Sequence, residues 1–187
     1  MVAFSVDGTT VAYVTRPDLF SPKGLDKGSQ ALLETVAKQS YESALDWGCG
    51  WGSLGLWLAS RNPKAQVIAL DSDMSAIKAT RLNVGHNGLN NLTVTASTGY
   101  DDIDEDSRFD LIVSNPPTHR GREVVETMIA DSRARLTPGG SLVIVVEARL
   151  KPWVQRSLDA QFGSCEVVRR TNKHVVLAAE NSPTSHH

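Results

Sequence analysis

From residue 42 onward the chain alternates short apolar or β-branched runs with helical stretches, and this alternation restricts its fold more than anything else in it. Strands that each lead through a helix to the next strand line up in parallel, with the helices covering the sheet. Ser43–Trp47 reads as the first such strand and Gly52–Arg61 as its helix. Gln66–Leu70 follows, then a helix over Ser75–Asn87 opened by Asp73 or Ser75 as its cap. Leu92–Ala96 and Phe109–Ser114 read as two further strands. Glu123–Leu136 reads as a helix stopped by Pro138-Gly139-Gly140, with Arg133 and Arg135 suited to its negative end. Ser141–Val146 is apolar on both faces and so central, and Trp153–Phe162 reads as the last helix. Cys165–Arg170 and His174–Ala179, joined by Thr171-Asn172-Lys173, predict an antiparallel hairpin.

Ahead of the sheet, Phe4–Val6 and Val11–Val14 flank Asp7-Gly8, a strong hairpin signal. Residues 19–29 read as a loop entering a helix near Gln30–Lys38. No repeat or linker divides the chain, and 187 residues suit one well-buried domain. The expectation is therefore an α/β, Rossmann-like domain over residues 1–187. Its mostly parallel seven-stranded sheet carries an antiparallel C-terminal hairpin and a short N-terminal β-hairpin. Residues 1–28 form the N-terminal hairpin and loop, and residues 181–187 a disordered tail.

With 41% apolar and 21% charged residues, the composition is that of a soluble globular protein. No apolar run approaches the roughly 20 residues of a membrane span. Met1-Val2-Ala3-Phe4-Ser5 lacks the basic and apolar regions of a secretion signal. Cys49 and Cys165, far apart, fit reduced thiols in the cytoplasm. A formal charge of −2 gives no global attraction to nucleic acid. Locally, Asp101, Asp102, Asp104, Glu105 and Asp106 form an acidic loop, while arginines and lysines gather in the last third. Solvated faces account for such charges as well as a binding surface does.

The loop after the first strand holds Gly48, Gly50, Gly52 and Gly55. Its match to a dinucleotide pattern is weak by itself. Glycines there let backbone approach a ligand where strand ends open onto a crevice. Asp46, two residues before the first glycine, would repel a pyrophosphate but accept hydrogen bonds from an amino-acid ammonium. Asp71, ending the second strand, can bind both hydroxyls of a ribose. An amino acid at one end and a ribose at the other describe S-adenosylmethionine. The bland alternatives are Asp46 as a loop cap and Asp71 as the start of a turn. At another strand end stands Asn115-Pro116-Pro117-Thr118. Pro117 has no N–H, so the Pro116 carbonyl is expected to face a pocket without a competing donor. That carbonyl and the Asn115 amide oxygen suit a planar –NH2 group with its two donors.

From about residue 18 to 180 the chain resembles the class I S-adenosylmethionine-dependent methyltransferases. Among them it is most similar to the ribosomal-RNA guanine-N2 methyltransferases. Phe20-Ser21, Leu25-Asp26-Lys27-Gly28-Ser29, Asp46–Gly52 and Asn115–Gly121 carry the resemblance. It implies cofactor contacts at Phe20, Gly28, Asp46, Gly48, Cys49, Gly50, Gly52, Asp71, Ser72, Ser97 and Asn115. It implies catalysis by Asn115, Pro116 and Pro117, and substrate contacts at Thr118, His119, Arg120 and Arg122. His119 would take the released proton or touch a phosphate, or simply bond within its loop. The partner implied is ribosomal RNA, with neither membrane nor metal.

Two features depart from that family. Thr118 stands where it has an aromatic ring, whose stacking on a base is worth roughly 1–3 kcal/mol. Trp47 or Trp51 would supply a ring instead, or else simply pack. The family's additional N-terminal domain has no counterpart beyond the hairpin. A small-molecule or protein-glutamine N-methyltransferase, or a non-catalytic binding module, is the alternative.

Overall fold

The computed structural model describes residues 2–15, 24–118 and 121–182. Phe20, His119, Arg120 and the tail from 183 lie outside the described residues. Among the described residues nine strands run in chain order as β1 (Val2–Val6), β2 (Thr9–Tyr13), β3 (Ser43–Trp47), β4 (Gln66–Asp71), β5 (Leu92–Ala96), β6 (Phe109–Ser114), β7 (Leu136–Glu147), β8 (Glu166–Arg170) and β9 (His174–Glu180). The helices are α1 (Lys27–Val36), α2 (Ser53–Arg61), α3 (Met74–His86), α4 (Arg122–Arg135) and α5 (Lys151–Phe162).

Strands β3 to β9 form one sheet in the order β5-β4-β3-β6-β7-β9-β8, in which β9 pairs antiparallel with both β7 and β8 and the other pairings are parallel. The order reverses between β3 and β6, so the crossovers diverge there and leave a crevice at the strands' carboxyl ends. Side chains alternate between two apolar layers. Ala44, Val113 and Val145 pack on the side of α1 and α2, with Leu33 and Trp57. Leu45, Trp47, Ile112 and Val146 pack on the side of α4 and α5, with Met128 and Leu158.

The sheet and its two hairpins are as the sequence predicts, and the differences have local causes. Helix α1 starts at Lys27 rather than near Gln30, because Asp26 caps it by accepting from the N–H groups of Gly28 and Ser29 at 2.9 and 3.0 Å. Gly28 therefore lies in a helix, not a loop. Pro138-Gly139-Gly140 does not sit between a helix and a strand. It falls inside β7, whose register slips against β6 between the Phe109–Leu136 and Leu111–Ser141 pairs. Asn181, assigned to the tail, instead donates from Nδ2 to the carbonyls of Leu136 and Thr137 at 3.1 and 3.2 Å.

The N-terminal hairpin turns through Asp7 and Gly8, with φ of 47° and 76°, the paired positive values of a tight primed turn. Two asparagines four residues apart, Asn83 on α3 and Asn87 at its C-cap, then act as a strand partner for β2 and the residue after it. Asn87 accepts from Ala12 N–H at 3.0 Å and donates to Ala12 C=O at 2.7 Å. Asn83 does the same at Val14, at 2.7 and 3.0 Å, and also donates to Trp51 C=O at 3.0 Å. Tyr13 stacks on Trp51 with ring centroids 4.4 Å apart. Trp51, buried and stacked in this way, packs the glycine loop against the N-terminal hairpin. No helix among the described residues is long and apolar enough to cross a membrane.

Candidate methyl-transfer site

The crevice between β3 and β6 opens into a cavity of about 1240 Å³. Into it the structure brings Asp46, Gly48, Cys49, Gly50, Asp71, Ser72, Ser97, Asn115, Pro116, Pro117, Thr118 and Arg122. Gly28 and Gly52 are not among the residues that line it, and act from behind the wall.

The glycine loop is held by the neighbouring strand. The N–H groups of Gly48 and Cys49 both donate to Leu70 C=O at 2.9 Å, and Gly50 N–H donates to Asp71 Oδ2 at 3.0 Å. Gly52 has φ of 94°, and a Cβ there would stand 2.7 Å from Thr80 Cγ2, so only glycine fits. Thr80 in turn donates to Gly50 C=O at 2.8 Å and lies 3.5 Å from Cys49 Sγ. Burial pushes the Cys49 thiol well above its ordinary pKa, so Cys49 presents backbone and neutral sulfur rather than a nucleophile. Asp71 uses Oδ2 on Gly50 and Oδ1 on Asp73 N–H at 2.9 Å. It opens a turn, as the bland reading has it, yet each carboxylate oxygen retains acceptor capacity. Ser97 shapes the next loop, donating to Gly99 C=O and accepting from Asp102 N–H, both at 3.2 Å.

Asp46 is fully buried. Its Oδ2 accepts from Gly55 N–H at 2.8 Å, whereas Oδ1 has no partner among the described residues. Burial raises its pKa to about 7, opposed by the Gly55 hydrogen bond and reinforced by the Asp71 charge. A buried acceptor facing a cavity suits a cationic ligand group.

At the end of the adjacent strand β6, Asn115 donates from Nδ2 to Ser29 Oγ at 3.0 Å, with both Asp26 carboxylate oxygens at 3.4 Å. These acceptors turn the amide nitrogen toward α1, which leaves Asn115 Oδ1 for the cavity. The Pro116 carbonyl does meet a competing donor, contrary to expectation: Thr118 N–H reaches it at 2.8 Å in a tight turn. One lone pair remains, because a carbonyl oxygen has two. Arg122 opens α4 with its guanidinium 5.3 Å from the centroid of the Trp153 ring. The Trp153 indole is itself fixed by donating to Glu126 at 2.6 Å.

Sequence reasoning missed Asp26, Ser29 and Trp153 as parts of this site. Asp26-x-Gly28-Ser29 ahead of apolar helical positions was a readable cap signal, while nothing local marked Trp153. Among the described residues no group of His, Cys, Asp and Glu is placed to hold a metal ion.

Residues 10–178 match the methyltransferase small domain family. The chain is 38% identical over 177 residues to the ribosomal RNA small subunit methyltransferase C of Salmonella choleraesuis strain SC-B67, covering 92% of this chain and 50% of that protein. It thus spans about half the length of the curated relatives it matches. Its structure is similar to the T. thermophilus 16S rRNA N2 G1207 methyltransferase in complex with AdoMet and guanosine, with a TM-score of 0.86 and 27% identity over 96% of this chain and 49% of that one. A methyltransferase from Pyrococcus furiosus shares the fold at a TM-score of 0.76 and 19% identity, over 96% of this chain and 92% of that one. On its sequence match and on the glycine loop and Asn-Pro-Pro rim that both line this cavity, the chain belongs to the methyltransferase small domain family.

Proposed function

We propose that the chain is an S-adenosylmethionine-dependent N-methyltransferase acting on the exocyclic N2 amine of guanine in ribosomal RNA, in the cytoplasm. The observation that carries this reading is the orientation of Asn115. With its nitrogen turned to Ser29 and Asp26, its carbonyl joins that of Pro116 as a pair of acceptors at the cavity rim. A planar amine offers two donors to such a pair.

The residues present fit the cofactor. Asp46 Oδ1 is an orphaned buried acceptor for an ammonium, the Gly48–Gly50 backbone leaves room for close approach, and Asp71 keeps acceptor capacity for a ribose. When bound, S-adenosylmethionine supplies an electrophilic methyl group. The protein's part is to place the amine nitrogen in line with that group. Accepting both N–H bonds at Asn115 and Pro116 draws the nitrogen lone pair out of conjugation and aims it. The same two dipoles stabilise the positive charge that grows on nitrogen as its new bond forms. Positioning and preorganised dipoles, rather than a strong base, supply the rate, and the proton that the methylated nitrogen must lose passes to solvent.

Thr118 favours a second reading, since without a ring there the rim suits a smaller carboxamide or amine as well. The test incubates the protein with labelled cofactor and small ribosomal subunits, their RNA, or guanosine, and scores nucleosides by mass spectrometry. N2-methylguanosine is expected. Asn115→Ala should lower its formation by about 10²–10³ with cofactor affinity kept. Methylated protein or small molecules, with none in RNA, would move the assignment to the second reading.

A further inference from the structure

Among the described residues, Trp47 Nε1 is a buried polar atom with no hydrogen-bond partner, and it belongs to a residue that lines the cavity. Trp47 is only 7% exposed, and its indole nitrogen can donate but not accept. A buried donor left unmade costs free energy that an acceptor on a ligand would return. Two other indoles show the usual outcome: Trp57 donates to Val6 C=O at 3.1 Å and Trp153 to Glu126 at 2.6 Å.

The register of β3 says which ligand. Asp46 points to the side of α2, where Gly55 holds it beside the glycine loop. Trp47, the next residue, points to the opposite face and packs with Leu45, Ile112, Val146 and Trp153. On that face the cavity is walled by the start of α4 and by Trp153. The backbone of Trp47 also lies under the Asn-Pro-Pro rim. Its carbonyl accepts from the hydroxyl of Ser114, the residue before Asn115, at 2.8 Å. Beside it, a Cβ at Gly48 would lie 3.7 Å from Pro117 Cδ.

We propose that the Trp47 indole N–H is a substrate donor, bonding a ring acceptor of the base whose amine Asn115 and Pro116 hold. This rests on the guanine-N2 reading and deepens it. Guanine carries the acceptor N3 directly beside its C2 amine, and the acceptor O6 on the other side beyond the N1–H donor. A donor beneath the rim, beside acceptors for the amine, matches that edge. Trp47 then selects the face and depth at which the base enters, a task the missing ring at position 118 cannot perform.

The experiment uses the full chain labelled with ¹⁵N, in which Trp47→Phe identifies the Trp47 indole resonance by its disappearance. S-adenosylhomocysteine is added to saturation, then guanosine. The Trp47 resonance should shift with guanosine and stay in place with S-adenosylhomocysteine alone. A shift complete at the first addition makes the donor a cofactor contact and overturns the proposal. In steady state, Trp47→Phe should raise KM for guanosine about tenfold without changing the S-adenosylhomocysteine Kd. That penalty should vanish for whichever analogue lacks the bonded acceptor, 3-deazaguanosine for N3 or 2-aminopurine riboside for O6. An equal penalty on all three substrates, or none on guanosine, overturns the proposal while leaving guanine methylation intact. A wild-type protein that neither binds nor methylates guanine in any form sinks both readings together.

Discussion

Asp46→Asn should make the free protein more stable above pH 7 while weakening its hold on the cofactor. The carboxylate is fully buried, with one oxygen on Gly55 N–H and the other unpartnered. Its pKa rises from 3.8 to about 7 on folding, mainly through burial. The raised value means the fold favours the neutral acid. The ionisation cost is absent below pH 3.8, grows as pH climbs toward 7, and is complete above it. A shift of about three units corresponds to a ceiling of about 4 kcal/mol. Asparagine cannot ionise, but its –NH2 group would be left without a protein acceptor, at about 1–3 kcal/mol. The net gain above pH 7 is therefore about 1–3 kcal/mol, with each kcal/mol raising Tm by about 2–4 °C in a chain of this size. At pH 5 the advantage should shrink by about 2–3 kcal/mol, since most of the ionisation cost is then lifted. Thermal denaturation at pH 8 and pH 5, without ligand, measures this directly. Calorimetry with S-adenosylhomocysteine should show at least a tenfold loss of affinity in the variant, and wild-type affinity that strengthens from pH 6 to pH 8. A variant less stable than wild type at pH 8, or a difference indifferent to pH, would refute the electrostatic account of this residue.

Ser29→Ala removes the closest acceptor of the Asn115 amide and should slow methyl transfer about threefold to tenfold with an unchanged cofactor Kd, as read by single-turnover kinetics. Asn83→Ala strands both backbone groups of Val14 and the Trp51 carbonyl, and calorimetric melting should show a loss of about 3 kcal/mol. Arg122→Ala should reduce the salt dependence of RNA binding by a slope of about 0.7, one phosphate contact, measured by filter binding at several salt concentrations. An unchanged slope would mean that Arg122 serves only to cover Trp153.

Strands were the most legible part of this chain. The bounds of β3 and β6 fall where their apolar runs begin and end, because buried parallel strands tolerate little else, and those of the edge strand β5 follow its alternation of apolar residues and threonines. Helix starts were less so. Gly28 in the first turn of α1 disguises a helix as a loop, although Asp26, which pairs with two backbone N–H groups, marks the cap. Pro138-Gly139-Gly140 suggests a clean break, yet the sheet absorbs it as an irregularity because Asn181 satisfies the carbonyls it exposes. At the site, the residues legible in sequence were those whose chemical type and strand-end position suffice: Asp46, Asp71 and Asn115. What a side chain does with its neighbours was not legible. The Thr118 N–H on Pro116, the neutral Cys49 thiol and the unpartnered indole of Trp47 are set by atoms distant in the chain.

Those distant atoms also explain why α1 belongs to the site although the glycine loop and the rim both lie elsewhere. Asp26 Oδ1 accepts from Gly28 and Ser29 and lies 3.4 Å from Asn115 Nδ2, so one carboxylate caps the helix and helps hold the rim. The Ser29 hydroxyl that faces Asn115 is positioned by the same first turn. A Cβ on Gly28 would stand 3.0 Å from Asp26 Oδ1 and 3.1 Å from the His174 ring, so a side chain at the second residue of that turn would press on the cap. Fraying of α1 would free the Asn115 amide to rotate and present its nitrogen to the cavity. An amide so turned offers a donor where the proposed amine would need an acceptor, and the rim would repel that group. The order of the first turn of α1 is thus a condition for the orientation of Asn115, and through it for any transfer to nitrogen.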